Sequence, residues 1–413
     1  MPVPKHVHVV GAGLSGLAAA LSLVKAGVRV TLHDSAPQAG GRCRSYFDPV
    51  LGCRIDNGNH LLLSGNAATF GFLNQVGARD TLTGPSEPVF PFMDLDSGER
   101  WTLRPNRGRL PWWLLLPGRR VPGMRVRDAL PALRLGKAPP GRTVAEALPA
   151  GALYRKLFEP LAIAALNTMP EEGSARLLGA IVDETLAAGG AACIPAFPKE
   201  GLSESFIDPA IRWLADRGAT LHLGSRVGGV ETVDGRATTL GGIAVGPDEA
   251  VVLAVPAPVA AGLLPGLDAP DRFEAILNLH YRIEADPGPA GFMGLVGGLA
   301  EWVFVKPGVV SVTISAGNRF LGRDSDALAQ QGWADVQRAL QLPATMPPHR
   351  VVKEKRATFT ASPDQDAKRP PTQTALSNLV LAGDWTATGL PATIEGAIRS
   401  GRAAAAVMLQ GLS

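Results

Sequence analysis

The sequence predicts a parallel α/β nucleotide-binding unit, assembled from separated stretches of chain, joined to an α+β domain of antiparallel sheet and helices. Three observations predict it: a βαβ pattern with spaced glycines at the N-terminus, a glycine–acid–helix pattern near the C-terminus, and alternating strand patterns between residues 276 and 316.

The N-terminal unit comes first. A β-branched run (Val7, Val9, Val10) ends in Gly11-Ala12-Gly13-Leu14-Ser15-Gly16, an apolar helix follows from Leu17 to Ala26, and a second strand, Val28 to Leu32, ends beside Asp34. Gly11 permits a tight turn out of the strand, Gly13 lets backbone approach a pyrophosphate, and Gly16 lets helix and strand pack closely. Leu14 and Ser15 then lie in the first turn of a helix whose free N–H groups face the anion. Asp34, eighteen residues beyond Gly16, is placed to accept hydrogen bonds from ribose hydroxyls. These features define a Rossmann-like dinucleotide site.

The stretch after Asp34 selects the dinucleotide. Ser35 to Ser45, with Gly40-Gly41-Arg42 at its centre, resembles the extension of the nucleotide motif in the flavin amine oxidase and carotenoid desaturase superfamily. The resemblance implies FAD rather than NAD, and a fold like that of amine oxidases and phytoene desaturases. Gly41 allows close backbone approach, and Arg42 offers a fork of donors to phosphate.

A chain of 413 residues is long enough for two domains. We expect an FAD-binding domain from residues 1–65, 200–262 and 372–413, and a substrate-binding domain from 66–199 and 263–371. Cys43, Cys53 and Cys193 form no CxxC, so neither a disulfide framework nor a metal site is expected, and a reducing compartment fits. Residues 1–6 are too short for a signal peptide, which points to the cytoplasm. A net charge of +3 gives no reason to expect a nucleic-acid partner. Within 105–135, however, Pro111-Trp112-Trp113-Leu114-Leu115-Leu116-Pro117-Gly118-Arg119-Arg120 is basic and apolar together. It is too short to span a bilayer and suits either a membrane interface or a buried loop with a solvated basic flank.

In Asp56-Asn57-Gly58-Asn59-His60, the superfamily resemblance implies that Asp56 and Gly58 bring backbone close to the isoalloxazine. His60 is either a proton donor near neutral pH or a histidine satisfied within the fold. Residues 66–200 read as mostly helical, with short strands near 88–103. Thr143 and Glu146 form a capping box for a short helix stopped by Pro149. Leu153 to Thr168 reads as an apolar helix, core or tunnel lining, and Asn167 at its end either caps it or faces substrate. A helix follows from Pro198 to Arg217, then a strand over Thr220–Val227, where the resemblance gives Val227 the role of lending backbone N–H and C=O to adenine. Strands over 250–255, 277–283, 301–305, 309–315 and 350–359 and a helix over 325–340 complete the middle of the chain.

The C-terminal pattern, Asn378 to Gly383-Asp384, reads as a buried strand ending in glycine and acid, and Pro391 is expected as the first residue of the final helix. Asp384 can accept from cofactor hydroxyls, and the helix N-terminus near Thr393 and Ile394 can face the flavin pyrimidine. The run Leu381 to Ala397, with Asp56-Asn57-Gly58-x-His60 and Leu166-Asn167-Thr168, resembles the hydroxysqualene dehydroxylases of bacterial hopanoid synthesis. The resemblance implies an FAD-dependent oxidoreductase that removes an allylic hydroxyl from a long apolar isoprenoid, with His60, Asn59 and Asn167 as candidate catalytic residues. Asn59 departs from the glutamine expected in that family. A carotenoid or phytoene desaturase is the main alternative. An amine oxidase ranks lower because no aromatic cage or flavin-linking cysteine is identifiable, and a noncatalytic lipid carrier lower still. With no second nucleotide motif for NAD(P)H, the electron donor is an unidentified reductant.

Overall fold

In the computed structural model, which describes residues 3–410, the strands His6–Val10, Arg29–His33, Thr220–His222, Glu249–Leu253 and Leu379–Leu381 form one five-stranded parallel sheet. The first strand is central, flanked by Arg29–His33 and Glu249–Leu253. Both terminal patterns therefore reach the same sheet. On one face, helix Leu14–Lys25 packs with the final helix, Ile394–Leu409, over Val7, Val9, Leu32 and Val252. The helices touch at Gly401, where an added Cβ would sit 2.0 Å from the Ser15 carbonyl oxygen, so only glycine allows that approach.

The opposite face carries a row of histidines across three strands. His6 and His8 lie 4.3 Å apart between ring centroids, His8 and His33 5.5 Å, and His33 and His222 5.4 Å. Glu249 stands at one end, its Oε1 2.9 Å from His6 Nδ1. Burial pushes His33 down to about 4, reinforced by its histidine neighbours.

The second sheet has seven strands, in the order His349–Phe359, Phe273–Arg282, Val309–Ile314, Trp302–Lys306, Phe292–Val296, Phe90–Asp94, Arg100–Leu103. All pairings are antiparallel except Phe292–Val296 with Phe90–Asp94. Side chains alternate, so Leu277, Leu279, Tyr281, Val310 and Val312 pack beneath helix Ser325–Leu340 while their neighbours face the other way. That second face is divided. Asn278, His280, Ser311 and Thr313 make a polar half, and Phe92, Trp101, Phe292, Trp302 and Phe304 make an aromatic half, with Phe92 stacked on Trp101 at 5.4 Å.

Two expected helices start differently from their sequence pattern, for one reason. A π turn, Tyr154–Phe158, precedes helix Glu159–Leu166, and another, Ser203–Ile207, precedes helix Asp208–Ala215. Pro160 and Pro209 lack the N–H that an α-helix needs at that point, and the wider turn lets Glu159 and Asp208 bond five residues back, to Tyr154 and Ser203. The capping box at Thr143 forms, with Glu146 Oε2 accepting from the Thr143 N–H at 3.0 Å. Residues 112–137 fold mainly as short 3-10 turns rather than α-helix. The strand expected to reach Val227 stops at His222, because Gly224 and Ser225 turn their N–H groups back to Ala36 and Asp34. The final helix begins at Ile394 with Thr393 as its cap, which leaves Pro391 outside it.

The histidine row makes stability acid-sensitive. His33 titrates near 4 in the folded chain against 6.5 as its ordinary value, so above pH 6.5 neither state holds the proton and the native fold has its full stability. Between pH 6.5 and 4 the unfolded chain gains a proton that folded His33 refuses, and stability falls by up to ~1.4 kcal/mol per pH unit. Urea unfolding at pH 7 and pH 5 should show a smaller loss for His33→Gln than for the parent; equal losses would contradict the burial argument.

Candidate cofactor and active site

The three glycines of the first loop meet different demands. Gly11 has φ +107°, and a Cβ there would lie 2.3 Å from the Ala254 carbonyl oxygen. At Gly16 a Cβ would lie 1.8 Å from the Gly11 carbonyl oxygen, so these two glycines serve packing of the chain on itself. Gly13 has ordinary extended backbone, and a Cβ there would meet nothing within 4 Å. Its glycine is not required by the protein, which points to something outside the protein that must come close. Helix Leu14–Lys25 begins at this point with no side-chain cap and no acid in its first turn. The N–H groups of this first turn, that of Ser15 among them, can face an anion, with the helix dipole favouring negative charge. Gly41, at φ +58°, faces Gly13, since its Cβ position is 3.5 Å from Gly13 Cα.

Asp34 accepts from the Ala12 N–H at 2.7 Å and the Ala36 N–H at 2.8 Å, which fixes the glycine loop to the end of the second strand. Each carboxylate oxygen keeps a lone pair for ribose. Arg42 donates to the Ala357 carbonyl and to Asp384 Oδ1, the latter at 2.7 Å. Two of the three charged residues expected to hold the cofactor therefore hold each other, and the Arg42 side chain stays 40% exposed. Beside Asp384, Gly383 has φ +157° and leaves room for the Trp385 ring, which donates to the Val255 carbonyl at 2.9 Å. Thr393 Oγ1 accepts from the Gly396 N–H, orienting the N-terminus at Ile394. Val227 lies in the loop after His222, half-buried, with its backbone N–H and C=O unpaired among the described residues.

The second part of the site is built on the polar half of the seven-stranded sheet. Asn59 Nδ2 donates to Thr313 Oγ1 at 3.0 Å, Thr313 Oγ1 donates to Asn278 Oδ1 at 3.0 Å, and Asn278 Nδ2 donates to the Asn57 carbonyl at 3.1 Å. Gly58 sits against this chain, its Cβ position 3.4 Å from Asn278 Nδ2. Asp56 is occupied with structure: Lys306 Nζ at 2.7 Å, Ser45 Oγ at 2.7 Å and the Leu202 N–H at 2.8 Å all donate to it. A cavity of about 150 Å³ lined by Asp56, Asn59, Lys306 and Ser311 opens beside this network.

His60, next in the chain, has no hydrogen-bond partner for either ring nitrogen among the described residues. Burial pushes it down to about 4 despite the pull of Asp56, so it is neutral at pH 7 rather than a resident cationic acid. Asn167 differs. It caps its helix at φ +50°, accepts from the Ala316 N–H at 2.7 Å, and donates to Thr358 Oγ1 at 2.9 Å. Its amide is spent on joining helix to sheet. The network partner Thr313, the ion-pair partner Lys306 and the helix-contact Gly401 carry no local mark in the sequence. Polar residues alternating within Leu277–Ile283 are the available signal for Asn278 and His280.

A loop pair built for pyrophosphate, an acid at the second strand and a capped helix at the far end of the chain define an FAD-dependent oxidoreductase. The chain belongs to the flavin-containing amine oxidoreductase family, whose pattern matches residues 14–283 and 302–409. It is similar to hydroxysqualene dehydroxylase of Rhodopseudomonas palustris, 46% identical over 411 residues and 98% of each chain. A probable zeta-carotene desaturase of Synechococcus elongatus is 25% identical over 98% of each chain. Among solved structures, an oxidoreductase from Methanosarcina mazei matches with a TM-score of 0.72 at 16% identity, over 96% of this chain and 99% of that one.

Gly13 separates cofactor binding from folding. Because the protein leaves its Cβ position open, Gly13→Val should change the stability of the flavin-free protein by no more than about 0.5 kcal/mol while sharply lowering its flavin content. Absorbance at the flavin band after purification, with urea unfolding of the stripped protein, checks both halves.

Proposed function

We propose that this chain removes the allylic hydroxyl of hydroxysqualene to give squalene, with FAD held by Gly11, Gly13, Leu14, Ser15, Gly16, Asp34, Gly41, Arg42, Gly58, Val227, Gly383, Asp384, Thr393 and Ile394. The similarity to hydroxysqualene dehydroxylase over nearly the whole of both chains supports the substrate. The observation that carries the chemistry is His60, neutral and unpartnered, next to an amide anchored on the sheet. When bound and reduced, FAD supplies the hydride that replaces the hydroxyl.

The residues of this chain do the rest. His60 donates a hydrogen bond from a neutral N–H and so orients the substrate hydroxyl, or the water that protonates it, for departure. Asn59, pinned by Thr313, holds the adjoining backbone in place. The aromatic half of the sheet packs ring against ring and keeps water away from the positive charge left on the allylic carbons. His60→Ala should keep its flavin spectrum and lose at least a hundredfold in turnover of hydroxysqualene. Near-parental turnover would remove His60 from the site, and conversion of phytoene instead of hydroxysqualene would favour the desaturase reading.

The enzyme works, on this proposal, at the cytoplasmic face of a membrane, taking its isoprenoid from the bilayer. No helix among the described residues is long and apolar enough to cross one. Leu110, Trp112, Leu115, Leu130 and Leu133 are 81%, 47%, 65%, 62% and 54% exposed, in a segment that also carries Arg119, Arg120 and Arg134. Trp113, by contrast, is buried, so the two tryptophans divide between core and surface. Apolar side chains with flanking cations fit an anionic lipid surface. Flotation with vesicles containing phosphatidylglycerol should fall severalfold for Leu110→Ser/Leu115→Ser; unchanged flotation would count against this patch.

A further inference from the structure

The histidine row on the nucleotide sheet plays no part in the proposed chemistry, and its arrangement exceeds what sheet packing needs. His6 and His8 stand on the same face of the central strand, and Glu249 on the neighbouring strand pairs with His6 in register. Nδ1 of His6 lies 2.9 Å from Glu249 Oε1, Nε2 of His8 lies 3.4 Å from Glu249 Oε2, and the three ligand atoms fall within 4.8 Å of one another. We propose that His6, His8 and Glu249 form a site for a borderline divalent transition metal, zinc by preference, on the face of the sheet away from the two packed helices.

Three features carry this. The ligand types are two imidazoles and one carboxylate, a donor set that suits zinc, and both facing nitrogens stand within 3.4 Å of the Glu249 carboxylate, near enough for one ion to be shared among the three side chains. The outer nitrogen of each imidazole is already held: His6 Nε2 by Thr31 Oγ1 at 2.9 Å, and His8 Nδ1 by His33 Nε2 at 3.2 Å. Metal-bound histidines nearly always have such partners, which fix the tautomer and aim the free nitrogen at the ion. With His8 Nδ1 donating to His33 Nε2, the lone pair of His8 Nε2 is left to face Glu249 and an ion beside it. The exposed Arg29 guanidinium, 3.7 Å from Glu249, and the partly exposed Glu249 side chain mark the solvent edge, where water can complete the coordination.

The ion would clamp the central strand of the sheet to its neighbour Glu249–Leu253. Its distance from the flavin loop, roughly 16 Å along five residues of strand from His6 to Gly11, makes it a structural ion rather than a reactant. Cysteine spacing, which gave no metal site in the sequence, could not reveal it, because the ligands come from positions 243 residues apart.

The test uses the flavin-loaded enzyme, freed of any affinity tag and of metal by chelation, and titrates it with zinc chloride in a calorimeter. One zinc per chain should bind and raise the thermal midpoint. His6→Gln/His8→Gln should weaken binding at least a hundredfold, and Thr31→Val, which leaves the three ligands in place, about tenfold, while His349→Asn, outside the row, changes nothing. Absence of stoichiometric binding in the parent enzyme would overturn the site, as would equal binding in the double variant. Should the double variant misfold, Thr31→Val decides: affinity equal to the parent's overturns the assignment of His6 as a ligand.

Discussion

The ion pair between Arg42 and Asp384 joins two cofactor patterns that lie 342 residues apart in sequence. Neither pattern makes a site alone. The glycine loop offers N–H groups to an anion but nothing to close over it, and the C-terminal strand ends in an acid that would be costly to bury without a partner. Pairing them places the loop after Asp34 against the start of the final helix, and the parallel sheet makes that meeting obligatory. Glu249–Leu253 lies between the first strand and Leu379–Leu381, so the chain between residues 253 and 379 leaves and re-enters at that edge, and the chain between 33 and 220 does so at the other. The close contact at Gly401 sets the final helix against the helix that faces the anion.

Residues whose role depends on near neighbours are readable from sequence. Gly11, Gly13 and Gly16 with Asp34 are a local unit, and so is the Thr143–Glu146 box, because turn, cap and packing demands act within a few residues. Pro160 and Pro209 are equally local, yet the periodicity of the surrounding apolar residues conceals them. A π turn keeps nearly the same hydrophobic face while absorbing the missing N–H. The start of the final helix differs from its sequence pattern for a related reason. Pro391 is compatible with a first helical turn, but Thr393 supplies a side-chain oxygen to the Gly396 N–H, and that bond fixes the boundary.

Residues whose role depends on distant partners are not readable. Nothing local distinguishes Thr313 from an ordinary strand residue, and the chain of hydrogen bonds that links it with Asn278 and Asn59 exists only because two strands of the second sheet lie beneath the loop at Gly58. The histidine row is the same kind of object, since its members, together with Glu249, come from four strands. Asn167 shows the converse. Its apolar neighbours suggest a polar residue aimed at substrate, but the positive φ that ends its helix turns its amide onto Ala316 and Thr358.

The divided face of the second sheet connects this architecture to the proposed reaction. Loss of a hydroxyl from an allylic carbon leaves a cation, and a permanently charged acid beside it would oppose the charge that has to develop. A histidine that burial holds at about 4 avoids this conflict: it donates a hydrogen bond while remaining neutral at pH 7. The proton itself then has to arrive by way of water at the polar half, where Asn59, Ser311, Lys306 and Asp56 border a small cavity. On the proposed reading the aromatic half, from Phe304 across to Trp101, lies on the hydrocarbon's side and keeps that water from the cation. On that reading a single face of the sheet sorts water from isoprenoid, by which of its strand positions are polar and which aromatic.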